Sequence, residues 1–359
     1  MTSIRVTAEQ LTISPHPDAD SLEIAQIGRF SAVVPKGEFA TGEWAVYIPE
    51  GSILPDDLIA EIGLTGQLAG VGRNRVKAIR LRGQLSQGLV CRPAALSGVD
   101  LAKAHAGGHN FADALRITKW TPPTPIHLAG PVGPAPGLLP WIEIEDIKRY
   151  PNMFKVGEPV VATEKIHGTA CLYTRVNNSD FVSSKGYAKK RRALVYSQSN
   201  LYWRTILAYN IPWVANNIAN MMNAHSVGIF GEIYGKGVQD LTYGADAYSP
   251  RPGYAVFDVR VETAAMGWWL DPDELVSIMG EFEDPPPLAP RLYAGPYDED
   301  MLFALSNGSE SISRTALHLR EGLVARPVRE RRSALTGGRA VAKFVSPAYL
   351  TREGGTEYE

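Results

Sequence analysis

Residues 121–140 read Thr-Pro-Pro-Thr-Pro-Ile-His-Leu-Ala-Gly-Pro-Val-Gly-Pro-Ala-Pro-Gly-Leu-Leu-Pro, and they split the chain in two. Proline fixes φ and has no amide hydrogen to donate, so a segment this dense in Pro and Gly cannot form a helix or a central strand. It reads as an extended linker between a domain over residues 1–120 and a larger one over residues 141–359. The 359 residues suffice for two cores of ordinary size, and no internal repeat is visible.

Before the linker, Leu22–Ile27, Ser31–Val34, Trp44–Ile48, Val76–Leu81 and Gly88–Cys91 are short apolar runs, separated by turn signals such as Pro35-Lys36-Gly37 and Pro49-Glu50-Gly51. Five short strands in about 100 residues suggest a small β-barrel, most simply an OB-fold. The segment from His16 to Ala25, His-Pro-Asp-Ala-Asp-Ser-Leu-Glu-Ile-Ala, resembles the opening of OB-type tRNA-binding modules. Taken alone, His16 and Asp18 would merely cap a turn. No run of about 18 apolar residues exists and the N-terminus has no apolar signal core, so a cytoplasmic protein without a membrane span is expected. Cys91 and Cys171 sit in apolar strand-like runs and read as buried thiols.

A net charge of −2 argues against coating nucleic acid through bulk positive charge, but local basic patches remain available. One runs from Arg73 through Arg75, Lys77 and Arg80 to Arg82; a second is Lys189-Lys190-Arg191-Arg192. Arg73, Arg75, Lys77 and Arg80 on the barrel, and Lys189 and Arg191 beyond the linker, are candidate phosphate contacts. A third cluster, Arg326 to Arg332 with Arg339, is interrupted by Glu330.

The chemistry begins after the linker. Val160–Thr163 is apolar enough for a strand that delivers Glu164 and Lys165 to the turn Ile166-His167-Gly168, with Ala170–Val176 as the returning strand. A lysine at such a turn can attack the α-phosphate of a nucleotide and hold the nucleotide as a phosphoramidate. Phe181–Ser184 then leads to Lys185-Gly186, which can offer an ammonium and amides to an anion. Apolar spacing from Ser199 to Asn223 predicts helix, broken near Pro212 and packed on a core. Val227–Gly235 is a strand with one carboxylate, Glu232, which is costly to bury unless something such as a ribose diol pairs with it. In the Tyr254–Arg260 strand Phe257 and Asp258 fall on opposite faces; Phe257 is a core residue or a platform for a purine. Glu321-Gly322 opens another strand, and Lys343 sits in the last one, Arg339–Phe344.

Lys165-Ile166-His167-Gly168 resembles the nucleophile motif, Lys-x-Asp/His/Glu-Gly, of the covalent nucleotidyltransferases: DNA ligases, RNA ligases and mRNA-capping enzymes. The elements at Lys185, Glu232, Phe257, Glu321 and Lys343 follow in that superfamily's order. The ordered set, with an N-terminal barrel, resembles the bacterial type of ATP-dependent RNA ligase. His167 in place of Asp points the same way, as do the 16 residues after Lys343, too few for the C-terminal OB domain of DNA ligases and capping enzymes. The resemblance implies an α+β protein: an OB-fold, then a nucleotidyltransferase domain of antiparallel sheets flanked by helices. It implies ATP as AMP donor and Mg²⁺ or Mn²⁺ held mainly by phosphates and water with help from Glu321. In it Glu164 lies against adenine, Ile166 and Gly168 shape the nucleotide turn, and His167 contacts ribose or metal-bound water. Lys185 and Glu232 hold ribose or phosphate, Phe257 stacks on adenine, and Lys343 neutralises the α-phosphate. The family's last motif is Lys-x-Lys; Val341 stands at its first position here, with Arg339 as a candidate substitute.

The implied reaction has three steps: Lys165 takes AMP from ATP, AMP passes to a 5′-phosphate, and a 3′-OH displaces AMP to seal the strand. Neighbouring charge from Lys343 and a metal should lower the Lys165 pKa from its usual value of about 10.4. The substrate expected is RNA or an RNA/DNA nicked duplex, sealed by a monomer. A small DNA ligase or a GTP-using guanylyltransferase is the alternative enzyme. A non-catalytic RNA- or tRNA-binding protein is the third reading, against which the intact Lys165, Glu232 and Glu321 speak.

Overall fold

The computed structural model describes residues 4–123, 130–141 and 143–356. It forms two compact units, Met1–Thr121 and Pro122–Glu359. In the first, Leu22–Ile27 pairs antiparallel with Thr12–Pro15 and Phe30–Pro35, while Trp44–Ile48 pairs with Thr7–Gln10 and Leu89–Cys91. Alternation along these strands feeds two apolar clusters, one around Val6, Ile48 and Leu58, the other around Ile27, Phe30 and Tyr47. Thr7–Gln10 and Thr12–Pro15 carry too few apolar residues to announce a strand. Val76–Leu81 is strand only over Ile79–Leu81, because Val76 bonds instead to Gly51 and Ser52.

The second unit holds two sheets. A seven-stranded antiparallel sheet runs in the order Val132–Pro134, Arg192–Leu194, Ser179–Ser184, Thr169–Val176, Ser226–Tyr234, Gly253–Glu262, Gly267–Trp269. A five-stranded sheet runs Glu145–Asp146, Ala342–Val345, Gly322–Pro327, Pro159–Lys165, Arg291–Pro296, with only its first pair parallel. Helices Leu201–Ala208 and Ile211–Met221 bury Ile206, Val214 and Ile218 against Tyr173, Val227 and Ile229 on the first sheet. The break between them falls at Asn210, which takes a left-handed conformation (φ 51°), and Pro212 lies in the first turn of the second helix, where its missing donor costs nothing. Helix Glu299–Ser306 covers the five-stranded sheet through Leu302, against Leu323 and Phe344.

Two expectations change here. The Thr169–Val176 strand does not return beside Pro159–Lys165; its partners are Ser179–Ser184 and Ser226–Tyr234, so Ile166-His167-Gly168 crosses from one sheet to the other. Residues 124–129 of the expected linker lie outside the described residues, and from residue 130 on the segment is packed rather than extended. Val132–Pro134 is the outermost strand of the seven-stranded sheet, and Ala135, Leu138 and Leu139 are buried. Proline is tolerated there because an edge strand has one unpaired side. Among the described residues no helix is long and apolar enough to cross a membrane, and Cys91 and Cys171 are free, buried thiols.

Candidate active site

Strand alternation sorts the five-stranded sheet into two faces. Val160, Ala162, Leu323, Ala325, Ala342 and Phe344 belong to the apolar cluster under the helix, so Lys165, Val324, Arg326, Lys343 and Val341 take the other face. On the seven-stranded sheet Ile229 and Ile233 join the cluster under the other helices, leaving Phe230 and Glu232 on the opposite face. The crossing at residues 166–168 joins these two polar faces at Lys165. It is tight: a Cβ on Gly168 would lie 2.1 Å from the Ile233 carbonyl oxygen, and one on Gly322, opposite Lys165 in the ladder, 2.1 Å from that of Phe344. Ile166 anchors the crossing by packing with Leu241, Tyr243 and Tyr349. The Gln239 side chain donates to the Gly168 carbonyl at 3.1 Å, and the His167 amide donates to the Tyr243 hydroxyl at 2.9 Å.

Lys165 Nζ donates to Glu321 Oε1 at 2.6 Å. Burial alone would pull the lysine pKa down, but the charge and hydrogen bond of Glu321, with Glu232 behind it, hold it above the usual value. Among the protein's own groups the balance thus favours the ammonium, and the expected lowering names a metal as part of its cause. Glu232 behaves the other way, burial pushing its pKa up to about 8 against the pull of Lys165, with the Glu321 charge adding to the rise. Lys343 is lowered by burial and by Lys165 and Lys185 beside it, with Asp146 opposing. Lys185 begins the short helix Lys185–Ala188, capped by Ser184, and pairs with Glu143 at 3.3 Å; Lys189 pairs with the same carboxylate. Burial opposes ionisation of Glu143, but these two lysines outweigh it and bring its pKa to about 2.

The raised Glu232 pKa makes a stability prediction. An unfolded Glu titrates near about 4.3, so the folded state binds the proton more tightly, and this stabilisation is lost as pH rises from there through about 8. Glu232→Gln, a permanent mimic of the protonated form, should therefore gain several degrees of melting temperature over the parent at pH about 8.5 and almost none at about 5. Equal shifts at both pH values in differential scanning fluorimetry would contradict it.

His167 is buried, with Nε2 2.8 Å from Asp240 Oδ1 and Nδ1 2.8 Å from the Tyr349 hydroxyl. Arg352 forms a two-pronged pair with Asp240 at 2.8 and 3.0 Å and stacks over the Tyr349 ring. Asp240, Tyr243 and Arg352 escaped sequence reasoning, since they lie in loops without periodicity.

Glu164 points away from Lys165, as its neighbour on a strand must. Its carboxylate accepts from the Ser311 amide at 3.0 Å and from the Ser311 hydroxyl, and burial raises its pKa against those bonds. Phe257 and Asp258 do not fall on opposite faces. The ladder pairs Phe230 with Asp258 but Gly231 with Val256, so Phe257 is the extra residue of a β-bulge, and both side chains line one pocket with Trp141, Phe230, Trp269 and Val341. Arg339 also lines it, but it does not stand free as a replacement lysine. It pairs with Asp258 and Glu330 and stacks over Trp269 at 4.0 Å. Arg326 joins through Asp258 at 2.9 Å, and Arg331 pairs with Glu158 at 2.6 Å, so this basic cluster is largely consumed in internal ion pairs.

The other basic patches divide. Arg73, Lys77 and Arg80 are exposed or half-exposed on the first unit, whereas the Arg75 guanidinium stacks on Trp120 at 3.3 Å. Arg191 departs from its expected role: it donates to the Leu138 and Pro136 carbonyls at 2.7 and 3.0 Å, pinning the end of the Pro/Gly segment. Lys189 is exposed beyond its contact with Glu143.

The RNA ligase family matches residues 158–345, and an OB-fold domain matches residues 4–93. No curated protein matches the chain. Among solved structures, a Naegleria gruberi RNA ligase mutant with AMP and Mn is similar at 22% identity and TM-score 0.77, over 96% of this chain and 97% of that one. A mutant of the same ligase with ATP and Mn gives 23% and 0.75, and the form with PPi 22% and 0.75, each over 96% of this chain and 97% of that one. The fold is accordingly an OB-fold followed by a sheet-rich nucleotidyltransferase-like domain.

Proposed function

The chain belongs to the RNA ligase family, and on that premise we propose that it seals 3′-OH and 5′-phosphate ends, chiefly at nicks in duplexes, by passing AMP from ATP through Lys165. The observation that carries this reading is the meeting of Lys165 with Glu321 at 2.6 Å at the crossing between the sheets, with Glu232 and Lys343 close enough to alter its charge balance. The matched Naegleria gruberi structures with ATP, AMP, PPi and Mn support the same donor and the same kind of metal.

The residues divide the work as follows. Lys165 bonds to the α-phosphorus as pyrophosphate leaves, once its proton and its pairing with Glu321 are given up. Lys343 and Lys185 supply positive charge to the phosphate oxygens, and the phosphates in turn favour the protonated form of Lys343 that burial and its lysine neighbours disfavour. Glu232 receives the ribose hydroxyls, and Phe257 offers an aromatic face to adenine. A divalent cation fits one carboxylate better than a cage: Glu321 Oε2 is buried without a hydrogen-bond partner, and among the described residues no group of three or more His, Cys, Asp or Glu is placed to hold a metal. Such a cation, held by Glu321, phosphates and water, would offset charge on the phosphates. Positioning and charge, rather than proton shuttling, dominate such transfers.

The test is a sealing panel. Labelled ATP or GTP is offered first, then nicks in which each strand is RNA or DNA in turn. Label transfer from ATP and sealing with RNA on the 3′-OH side are expected; labelling from GTP alone, or sealing of all-DNA nicks only, would overturn the proposal. Gly168→Ala is a second check. Its methyl would meet a backbone oxygen that cannot swing aside, so the crossing must shift. A displacement near 1 Å is enough for a loss on the order of 10²-fold in lysyl-AMP formation, read by intact mass.

A further inference from the structure

His167 takes its partners from two stretches of the chain, the loop over residues 235–246 and the segment over residues 347–356. Asp240 is where they meet. Its carboxylate accepts from Arg352 Nε at 2.8 Å and Nη2 at 3.0 Å, and from the Thr356 amide at 2.8 Å and hydroxyl at 2.9 Å. It also faces His167 Nε2 at 2.8 Å. Arg352 Nη2 also lies 3.3 Å from Nε2, but the Asp240 contact is the shorter and a carboxylate only accepts, so Nε2 carries the ring hydrogen and Nδ1 is left to the Tyr349 hydroxyl. That same Nδ1 lies 3.9 Å from Glu321 Oε2, the buried oxygen without a hydrogen-bond partner, while Glu321 Oε1 holds Lys165. Asp240, His167, Glu321 and Lys165 therefore stand in a row.

We propose that Asp240 and Arg352 are positioning residues that act through His167 to hold Glu321, and with it Lys165, in the arrangement nucleotidyl transfer requires. This deepens the end-joining reading and rests on it. The physical argument is that of a ligand oriented by the groups behind it. A ring fixed at both nitrogens has one orientation and one tautomer, whereas a ring released at Nε2 can turn and let the Glu321 oxygens wander. Outer partners of this kind typically matter by 10–100-fold.

The experiment uses the full chain with Asp240→Ala, Asp240→Asn, Arg352→Ala and Arg352→Lys. Asparagine keeps an oxygen for the ring but gives up the charge for Arg352. Single-turnover transfer of AMP to Lys165 is expected to slow by about 10–100-fold in Asp240→Ala at saturating ATP, with half-saturation changed less than about threefold. Asp240→Asn should recover most of the rate. A residue needed only for folding would lower the fraction of active molecules and the melting temperature, yet leave the rate constant of active molecules unchanged; that result overturns the proposal. The imidazole ¹⁵N spectrum gives a readout independent of activity. Hydrogen on Nε2 of His167 in the parent, and a mixture of tautomers in Asp240→Ala, is expected. Hydrogen on Nδ1 in the parent, or no change in the variant, overturns the proposal. If the parent itself forms no adduct with ATP, the end-joining reading falls instead, and the ring spectrum still decides this one.

Discussion

Lys165→Ala should eliminate the covalent AMP adduct, a loss on the order of 10⁴-fold or more, because no other group occupies the end of that strand. Lys165→Arg should fail as completely while folding better. Its guanidinium keeps a cation beside Glu321 and Glu232, whose main counter-charge alanine removes, but it stays protonated at every accessible pH and cannot attack phosphorus. The two variants therefore separate nucleophile from counter-ion. A strand supplied already capped with AMP bypasses the amine, so its sealing should survive in both variants far better than sealing from ATP. An AMP-sized mass increase that persists in Lys165→Ala would reject the mechanism.

The largest stability effect is expected at Arg339. Its side chain is 12% exposed and lies between Asp258 and Glu330, themselves 10% and 13% exposed. Arg339→Met keeps the bulk over Trp269 but leaves Asp258 and Glu330 to share the one guanidinium of Arg326. Removing one member of such a buried pair costs roughly 3–5 kcal/mol, which in a unit of this size lowers the melting temperature by about 10 °C. Burial already raises the Glu330 pKa, and Arg339 is the main group opposing that rise. Without it the folded-state pKa climbs further, so the deficit should be greatest at alkaline pH and shrink as pH falls and the proton is taken up. Arg339→Met with Asp258→Asn should regain part of the loss, the mark of coupled partners. A single variant melting within about 2 °C of the parent would show the network to be dispensable.

Part of the candidate site was legible because Lys165, Glu232 and Lys343 sit on strands whose alternation fixes their faces, with Glu321 just before another. Lys165, Glu232, Phe257, Glu321 and Lys343 are readable one at a time, since a charged or aromatic residue inside an apolar run calls for a partner or a ligand. What sequence could not supply is pairing between distant stretches. Arg326, Arg331 and Arg339 read as a basic cluster interrupted by Glu330, but Asp258 and Glu158, which pair with them, lie far away in the chain, and local charge density cannot reveal a counter-charge brought in by tertiary contact. The Phe257 bulge was hidden for the same reason: strict alternation assumes one residue per ladder step, and the inserted residue shows only against the neighbouring strand. The Pro/Gly segment misled by composition, because an edge strand needs only one bonded side and Val132–Pro134 found it in Arg192–Leu194.

The short bridge between the sheets limits what evolution or an engineer can do to this protein. A residue inserted or deleted within Pro159–Lys165 would turn the amine toward the apolar side beneath the helix and move it by about 3.3 Å, more than its 2.6 Å separation from Glu321. No rotamer can make up that error with backbone oxygens pressed against Gly168 and Gly322. Length is thus frozen here even where composition is free, and deep insertion scanning should find a sharp gap in tolerance centred on this bridge.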